Sequence, residues 1–374
     1  MSYESIDKLQ NILSYNVFDY ANDKKKAAGR AIGTFIEIIT FYLIKTWGLE
    51  GYVAIEHPLQ EFANKIIRHN VEFTLHGSKT FIEDSFSSDD YPISLSKLKK
   101  KHIELDSLNS KSIMLIDKDK VIRNACTLYS NDDFIFNAYI NTKENTYKIN
   151  RLFHKPFAMF ECKRVGIEEG SKKGPQTIEK AKQGSYVART VSALQRIRLN
   201  DGSLGGLVQK KDNSFVIDQY YELLNRIILS DDSSLLVNFI LTCGIVSNHG
   251  NWFTSDNPNK ELLVLAQSYD WLLFLTDQGI SKFITDLLID DNSKFKSIKS
   301  AFKSSYQKNK KRNIFTKVRM DYDCDKALCL YFEENIREIE SWFNIITPKN
   351  KTLSSLKAEL KFLSQKNWQN IYEN

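Results

Sequence analysis

The sequence predicts an α/β protein, with a mixed central sheet flanked by helices and a helical C-terminal part. Three observations predict it. Residues 27–47 place Ile32, Phe35, Ile36, Ile39 and Leu43 at helical spacing. Residues 112–164 turn to short apolar runs of strand type, separated by polar turns. Helical patterns return after Gln176, interrupted by one continuous apolar run, SLLVNFILTCGIV, of the kind a fully buried strand shows. Helix and strand alternating along one chain is the pattern of a layered α/β domain.

The elements follow in order. Gly48 ends the first helix, and Gly51 follows closely. VEFTLHG (71–77) reads as a strand, FIEDSFSSDDYP (81–92) as a surface loop, and SLSKLKKKH (94–102) as the start of a short basic helix. SIMLID and DDFIFNAYINTK read as strands. A turn around Glu144-Asn145-Thr146 leads into YKINRLF and then FAMFECKR, two further strands. VIDQYYELLNRIIL is a helix, and SNHGNWFTSDNPN is a polar loop after the buried strand. ELLVLAQSYDWLLFLTDQGISKFITDLLI opens as strand or helix and continues as helix. Residues 293–374 read as helical and charged. Asp290-Asp291-Asn292-Ser293 marks a boundary between a core of residues 1–290 and a helical region of residues 291–374.

At 374 residues the chain can bury one large core or two modest ones. Its 42% apolar and 26% charged residues are ordinary for a globular protein and argue against disorder. The net charge is +6 and the pI about 8.8. Basic clusters at Lys24–Lys26, Lys97–Lys101, Lys172–Lys173 and Lys308–Arg312 point toward a polyanion partner. The five cysteines are odd in number and show no Cys-x-x-Cys spacing, which fits reduced thiols inside a cell. The N-terminus lacks a signal-peptide layout, and the apolar stretch Ala31 to Ile44 is too short to span a bilayer. The expectation is a cytoplasmic protein without a membrane partner.

Residues 156–164, Pro-Phe-Ala-Met-Phe-Glu-Cys-Lys-Arg, carry the chemistry. On a strand Glu161 and Lys163 project to one side, Phe160 and Cys162 to the other. An acid and a lysine on an apolar strand are costly unless paired or functional. Two other acid-x-Lys triplets exist, Asp23-x-Lys25 in a charged run and Glu359-x-Lys361 on an amphipathic helical pattern. Both read as surface. Downstream of Lys163 comes GSKKGPQTIEKAKQGSYVARTVSALQRIR, a Gly/Pro turn opening a basic helix.

Strand, acid-x-Lys, turn and basic helix together resemble the PD-(D/E)xK nucleases, and within them the type II restriction endonucleases. The resemblance covers roughly residues 27–270. It implies a restriction-endonuclease-like core and Mg²⁺-dependent, sequence-specific hydrolysis of phosphodiester bonds in double-stranded DNA. It also implies a homodimer, because a palindromic site mirrors a two-fold axis.

The resemblance implies a metal site built from Glu161, the backbone carbonyl of Cys162 and a second acid from an upstream strand. Asp133 is the first choice for that acid, with Asp132, Asp117 and Asp119 as alternatives; no Pro-Asp precedes any of them. Two strand carboxylates suit Mg²⁺, which prefers oxygen ligands. Lys163 would orient the attacking water and stabilise the developing charge. Glu37, in the first helix, would support the site. Gln183 stands where related nucleases carry Gln-x-x-x-Tyr, although Tyr186 comes one position early.

For DNA contact the candidates are Lys172, Lys173, Gln176, Lys180, Lys182, Gln183 and Arg189, with Arg196 and Arg198 beyond them. Phosphate contacts of this kind set register rather than sequence. Asn248, His249 and Asn251 are candidates for reading base edges.

No Walker loop and no Gly-x-Gly-x-x-Gly occurs, so no nucleotide cofactor is expected. The histidines show no zinc-type spacing. Two other readings stand beside the restriction enzyme. One is a structure-selective or repair nuclease with the same core. The other is a non-catalytic DNA-binding protein in which Glu161 and Lys163 form only a salt bridge.

Overall fold

The structure, a computed structural model, describes residues 11–15, 18, 24–108, 113–166, 175–249, 260–290, 293–306 and 313–373. The chain divides into two compact units. One comprises Met1–Ile55, Ser78–His154 and Thr276–Trp342; the other comprises Glu56–Gly77, Lys155–Leu275 and Phe343–Asn374. Residues on both sides of position 290 belong to the first unit, so the units do not part where the acidic run suggested.

The main sheet has eight strands: β1 (Val53–Gln60), β2 (Arg68–Ser85), β3 (Cys126–Ser130), β4 (Phe134–Asn141), β5 (Thr146–Gly166), β6 (Leu241–His249), β7 (Trp271–Leu275) and β8 (Phe343–Thr347). Their order is β1-β2-β5-β6-β7-β8, with β4 also against β5 and β3 against β4. The α/β class with a mixed sheet is as expected. β5 runs as one strand through Pro156, where the sequence suggested two.

In the first unit, β4 pairs antiparallel with the early part of β5, from Phe134↔Phe153 to Asn141↔Thr146. Asn145, with φ 54°, makes the tight turn between them. Helix α1 (Lys24–Thr46) is the buried helix that the spacing predicts, and Gly48, at φ +75°, follows its end. Over Ala27–Thr46 it is long and apolar enough to cross a membrane, a longer stretch than the sequence suggested. Its apolar side chains are buried; Phe35 packs against Phe283, Phe302 and Phe315 with ring centroids 5.9, 5.3 and 6.2 Å away.

In the second unit, β6 lies parallel to the late part of β5, with Gly244 opposite Glu161 and Val246 opposite Lys163. A parallel pair needs a crossover. Helix α2 (Pro175–Thr190) and a small antiparallel sheet (Leu194–Arg198, Leu204–Gln209 and Phe215–Gln219) lie within this one. β7 is parallel to β6, and β8 antiparallel to β7. The apolar core between α2 and the sheet includes Met159, Val187, Ala188, Val191, Val246, Tyr269 and Leu272. The C-terminal part is largely helical as expected. Its segment Phe343–Thr347 is a sheet strand, however, a β-branched run too short to show a period of its own.

Candidate active site

Glu161 lies on β5, between β2 and β6, and is only 5% exposed. Its flanking residues Phe160 and Cys162 are buried as well. A carboxylate in such a place loses hydration, which favours its neutral form. Lys163 answers part of that cost: its Nζ stands 2.6 Å from Glu161 Oε1 and donates to Glu72 Oε1 at 3.2 Å. Glu72 comes from β2, where it interrupts the apolar pair Val71 and Phe73. Its other oxygen accepts the Cys162 N–H at 3.2 Å.

Among the described residues, Lys163 is the cation that meets both acids. Burial, then the hydrogen bond and the like charge of Glu72, raise the Glu161 pKa to about 8, against the pull of Lys163. Burial works against the Lys163 ammonium, but Glu161 and Glu72 outweigh it and raise its pKa. The lysine is therefore charged at neutral pH, while the acid pair tends to keep a proton. Glu161 Oε2 is buried and has no hydrogen-bond partner among the described residues.

Two glycines shape the space beside Glu161. A Cβ at Gly184 of α2 would stand 2.7 Å from the Tyr269 hydroxyl and 2.9 Å from Glu161 Cγ. A Cβ at Gly244 of β6 would strike the Tyr269 ring at 2.8 Å. Glycine lets helix, strand and phenol close around the carboxylate. Tyr269 is itself held from behind: its carbonyl accepts from Arg196 at 2.6 Å, and the guanidinium lies 3.9 Å over the Tyr220 ring. Arg196, expected among the DNA contacts, is thus tied inside the unit on a strand.

Of the expected site residues, the structure brings together Glu161, Lys163 and Cys162, the last through its N–H. Glu72 is the acid beside them, and the sequence reading had passed over it. Asp133 belongs to the other unit, in the exposed turn entering β4. Its N–H donates to the Asn131 side chain, and its carbonyl accepts from His154, seven positions ahead of Glu161 on β5. Asp132 is exposed in the same turn, and Asp117 closes its own turn by accepting from the Asp119 and Val121 N–H groups. Glu37 is also in the first unit, 3.4 Å from Lys317 Nζ. Glu359, read as a surface acid, is largely buried and accepts from Trp271 Nε1 at 2.9 Å.

Gln176, Lys180 and Lys182 lie in α2, where Gln183 and Arg189 are exposed. Asn248 and His249 end β6, opposite Val165 and Gly166 of β5. Lys172, Lys173 and Asn251 lie outside the described residues.

The donor set suits a hard divalent cation. It consists of two carboxylates, with one oxygen unpartnered, on neighbouring strands. Among the described residues there is no cluster of three or more acid, histidine or cysteine ligands. Mg²⁺ often takes one or two carboxylates and fills its remaining positions with water and substrate phosphate. Comparison with protein families, with curated proteins and with solved structures finds no match to this chain.

Proposed function

We propose that this chain hydrolyses phosphodiester bonds in double-stranded DNA with Mg²⁺ held by Glu72 and Glu161, and that its specific form is a type II restriction endonuclease. One observation carries the reading: an acid-x-Lys strand meets a second acid from the adjacent strand, and a buried carboxylate oxygen has no partner among the described residues. The crossover from β5 through α2 to a parallel β6 is in keeping with the PD-(D/E)xK resemblance.

The bound metal would neutralise charge on the phosphate and lower the pKa of a water. The protein's own groups supply the rest. Glu72 and Glu161 position the acceptor oxygens from two strands. Lys163, held cationic between them, is placed to orient a water and to offset charge developing on the phosphate. Gly184, Gly244 and Tyr269 restrict the space around Glu161, so its carboxylate has little freedom to swing away. Exposed α2 residues such as Gln183 and Arg189 would meet the DNA backbone. A homodimer and a cytoplasmic setting belong to the same reading.

Lys163 bridging two acids also satisfies the plainer reading, a structural ion pair in a non-catalytic DNA-binding protein. Digesting long duplex DNA with and without Mg²⁺, and sequencing the ends, decides among the three. Ends sharing a short motif are expected. Random ends, or cutting only at nicks, flaps and junctions, would leave a non-specific, structure-selective or repair nuclease. No cutting at all would leave the ion pair.

A further inference from the structure

The turn between β1 and β2 holds an isoleucine out in solvent. Ile66 is 91% exposed and Ile67 39%. A lone exposed apolar residue needs no explanation. Here three further observations coincide.

The turn is held in place. The Asn64 side chain accepts the Ile66 N–H at 3.2 Å, and the Asn64 carbonyl accepts the Ile67 N–H at 3.1 Å. Glu61 N–H donates to the Ile67 carbonyl at 3.1 Å, and Phe62 N–H to the Thr190 carbonyl of α2 at 2.7 Å. His69 stands 2.9 Å from the buried Glu61 carboxylate and packs edge-on against Tyr186 of α2, with centroids 5.7 Å apart. The turn therefore cannot simply fold its isoleucines inward.

Its charge has one sign. Lys65 and Arg68 are exposed on either side of the isoleucines, while the one acid of the turn, Glu61, is buried. Lys65 and Lys211 also lie close enough to Lys155 to act on it: burial first, then these two like charges, lower the Lys155 pKa. Cations crowded in this way are relieved by an anionic partner.

The turn is also tethered to the candidate site. Ile66 and Glu72 are six positions apart on the same hairpin. Six residues of chain reach at most about 21 Å, which is about six base-pair steps along a duplex.

We propose that this turn is a nucleic-acid wedge: Ile66 enters the minor groove of duplex DNA and partly unstacks a base step, while Lys65 and Arg68 hold the flanking phosphates. Apolar side chains set between base steps, with cations beside them, are a known way to bend DNA. The inference takes its partner from the proposed function and adds how the duplex is gripped and bent.

The test uses full-length protein and a short duplex carrying 2-aminopurine, with Ca²⁺ in place of Mg²⁺. Ile66→Ala is expected to weaken binding about tenfold or more and to remove the unstacking fluorescence. Ile66→Leu should retain both, and circular dichroism should be unchanged for an exposed position. Lys65→Ala and Arg68→Ala should each reduce the salt slope of log affinity by about 0.9. Equal affinity and fluorescence for wild type and Ile66→Ala overturns the wedge. So does the absence of any duplex binding, or an Ile66 effect seen only on vesicles of anionic phospholipid. If Ile66-dependent binding and unstacking persist but Mg²⁺ brings no cleavage, the wedge stands and the nuclease reading falls.

Discussion

Two buried acids in this molecule have opposite surroundings. Asp325, in the first unit, is fully buried; Oδ1 accepts from Tyr42 at 2.6 Å and Oδ2 from Thr142 at 2.7 Å. Lys45 adds its charge at 3.3 Å, and Glu50 completes the network 2.9 Å from the same lysine. Glu161, in the second unit, has among the described residues one lysine, a second acid beside it and an oxygen with no partner. A buried carboxylate surrounded by donors is explained by the fold. One left half-satisfied next to a like charge is not, and such sites are where function concentrates.

The comparison breaks most visibly at Glu161. Glu161→Ala is expected to abolish Mg²⁺-dependent cleavage, a loss beyond the ~10³-fold that removing one electrostatic contact brings. Its fold should survive. Glu161→Gln should leave the urea midpoint at neutral pH close to that of wild type, because burial and Glu72 already favour the neutral carboxyl there. A wild-type cleavage rate in either folded variant would make Glu161 as structural as Asp325.

Asp325 should behave the other way. Asp325→Ala strips Tyr42, Thr142 and Lys45 of a shared acceptor and leaves a buried ammonium with only Glu50. Breaking a buried pair in this way costs about 3–5 kcal/mol. Urea unfolding should show that loss, with little change in turnover by the protein that remains folded. If Asp325→Ala is no less stable than wild type, the contrast between the two acids fails.

Lys163 sharpens the contrast by separating chemistry from binding. Lys163→Ala leaves both carboxylates in place, so Ca²⁺ should still support DNA binding. Single-turnover cleavage with Mg²⁺ should fall by about 10²–10³. A variant that cuts at the wild-type rate would reduce Lys163 to a counter-ion.

What the sequence made legible follows from physical range. Glu161 and Lys163 stood out because charge on an apolar strand is visible within a few residues. Glu72 carries the same signal, an acid between Val71 and Phe73, and VEFTLHG had been read as a strand. What no local pattern shows is that β2 lies beside β5, since 60 residues separate Ser85 from Thr146. Without that neighbour the nearest upstream acids are the visible candidates, and Asp133 serves a turn. Spacing made α1 legible from end to end. The basic run through Arg196 and Arg198 read as a continuation of α2, although Asp201-Gly202 and Asp212-Asn213 carry turn signals that mark the small sheet. Both Gly202, at φ +80°, and Asn213, at φ +66°, adopt the conformation those turns require.

The contrast also reaches the pH dependence of stability, most gradual in its onset. Glu161 is raised in the folded protein to about 8, with burial and Glu72 as the leading causes. The folded state therefore binds more protons than the unfolded state at pH values between the ordinary glutamate value of 4.5 and about 8. Stability from this group is fully present below that window and declines as pH rises through it. One proton limits the slope to about 1.4 kcal/mol per pH unit. Asp325, by contrast, lies among the donors Tyr42, Thr142 and Lys45. Urea titrations at a series of pH values should show wild-type stability falling toward pH 8, and Glu161→Gln should flatten that fall. Cleavage should move in the opposite direction, rising as the acid pair gives up its proton. If the two proteins show parallel pH profiles of stability, Glu161 is already ionised at neutral pH, and its surroundings compensate it as fully as those of Asp325.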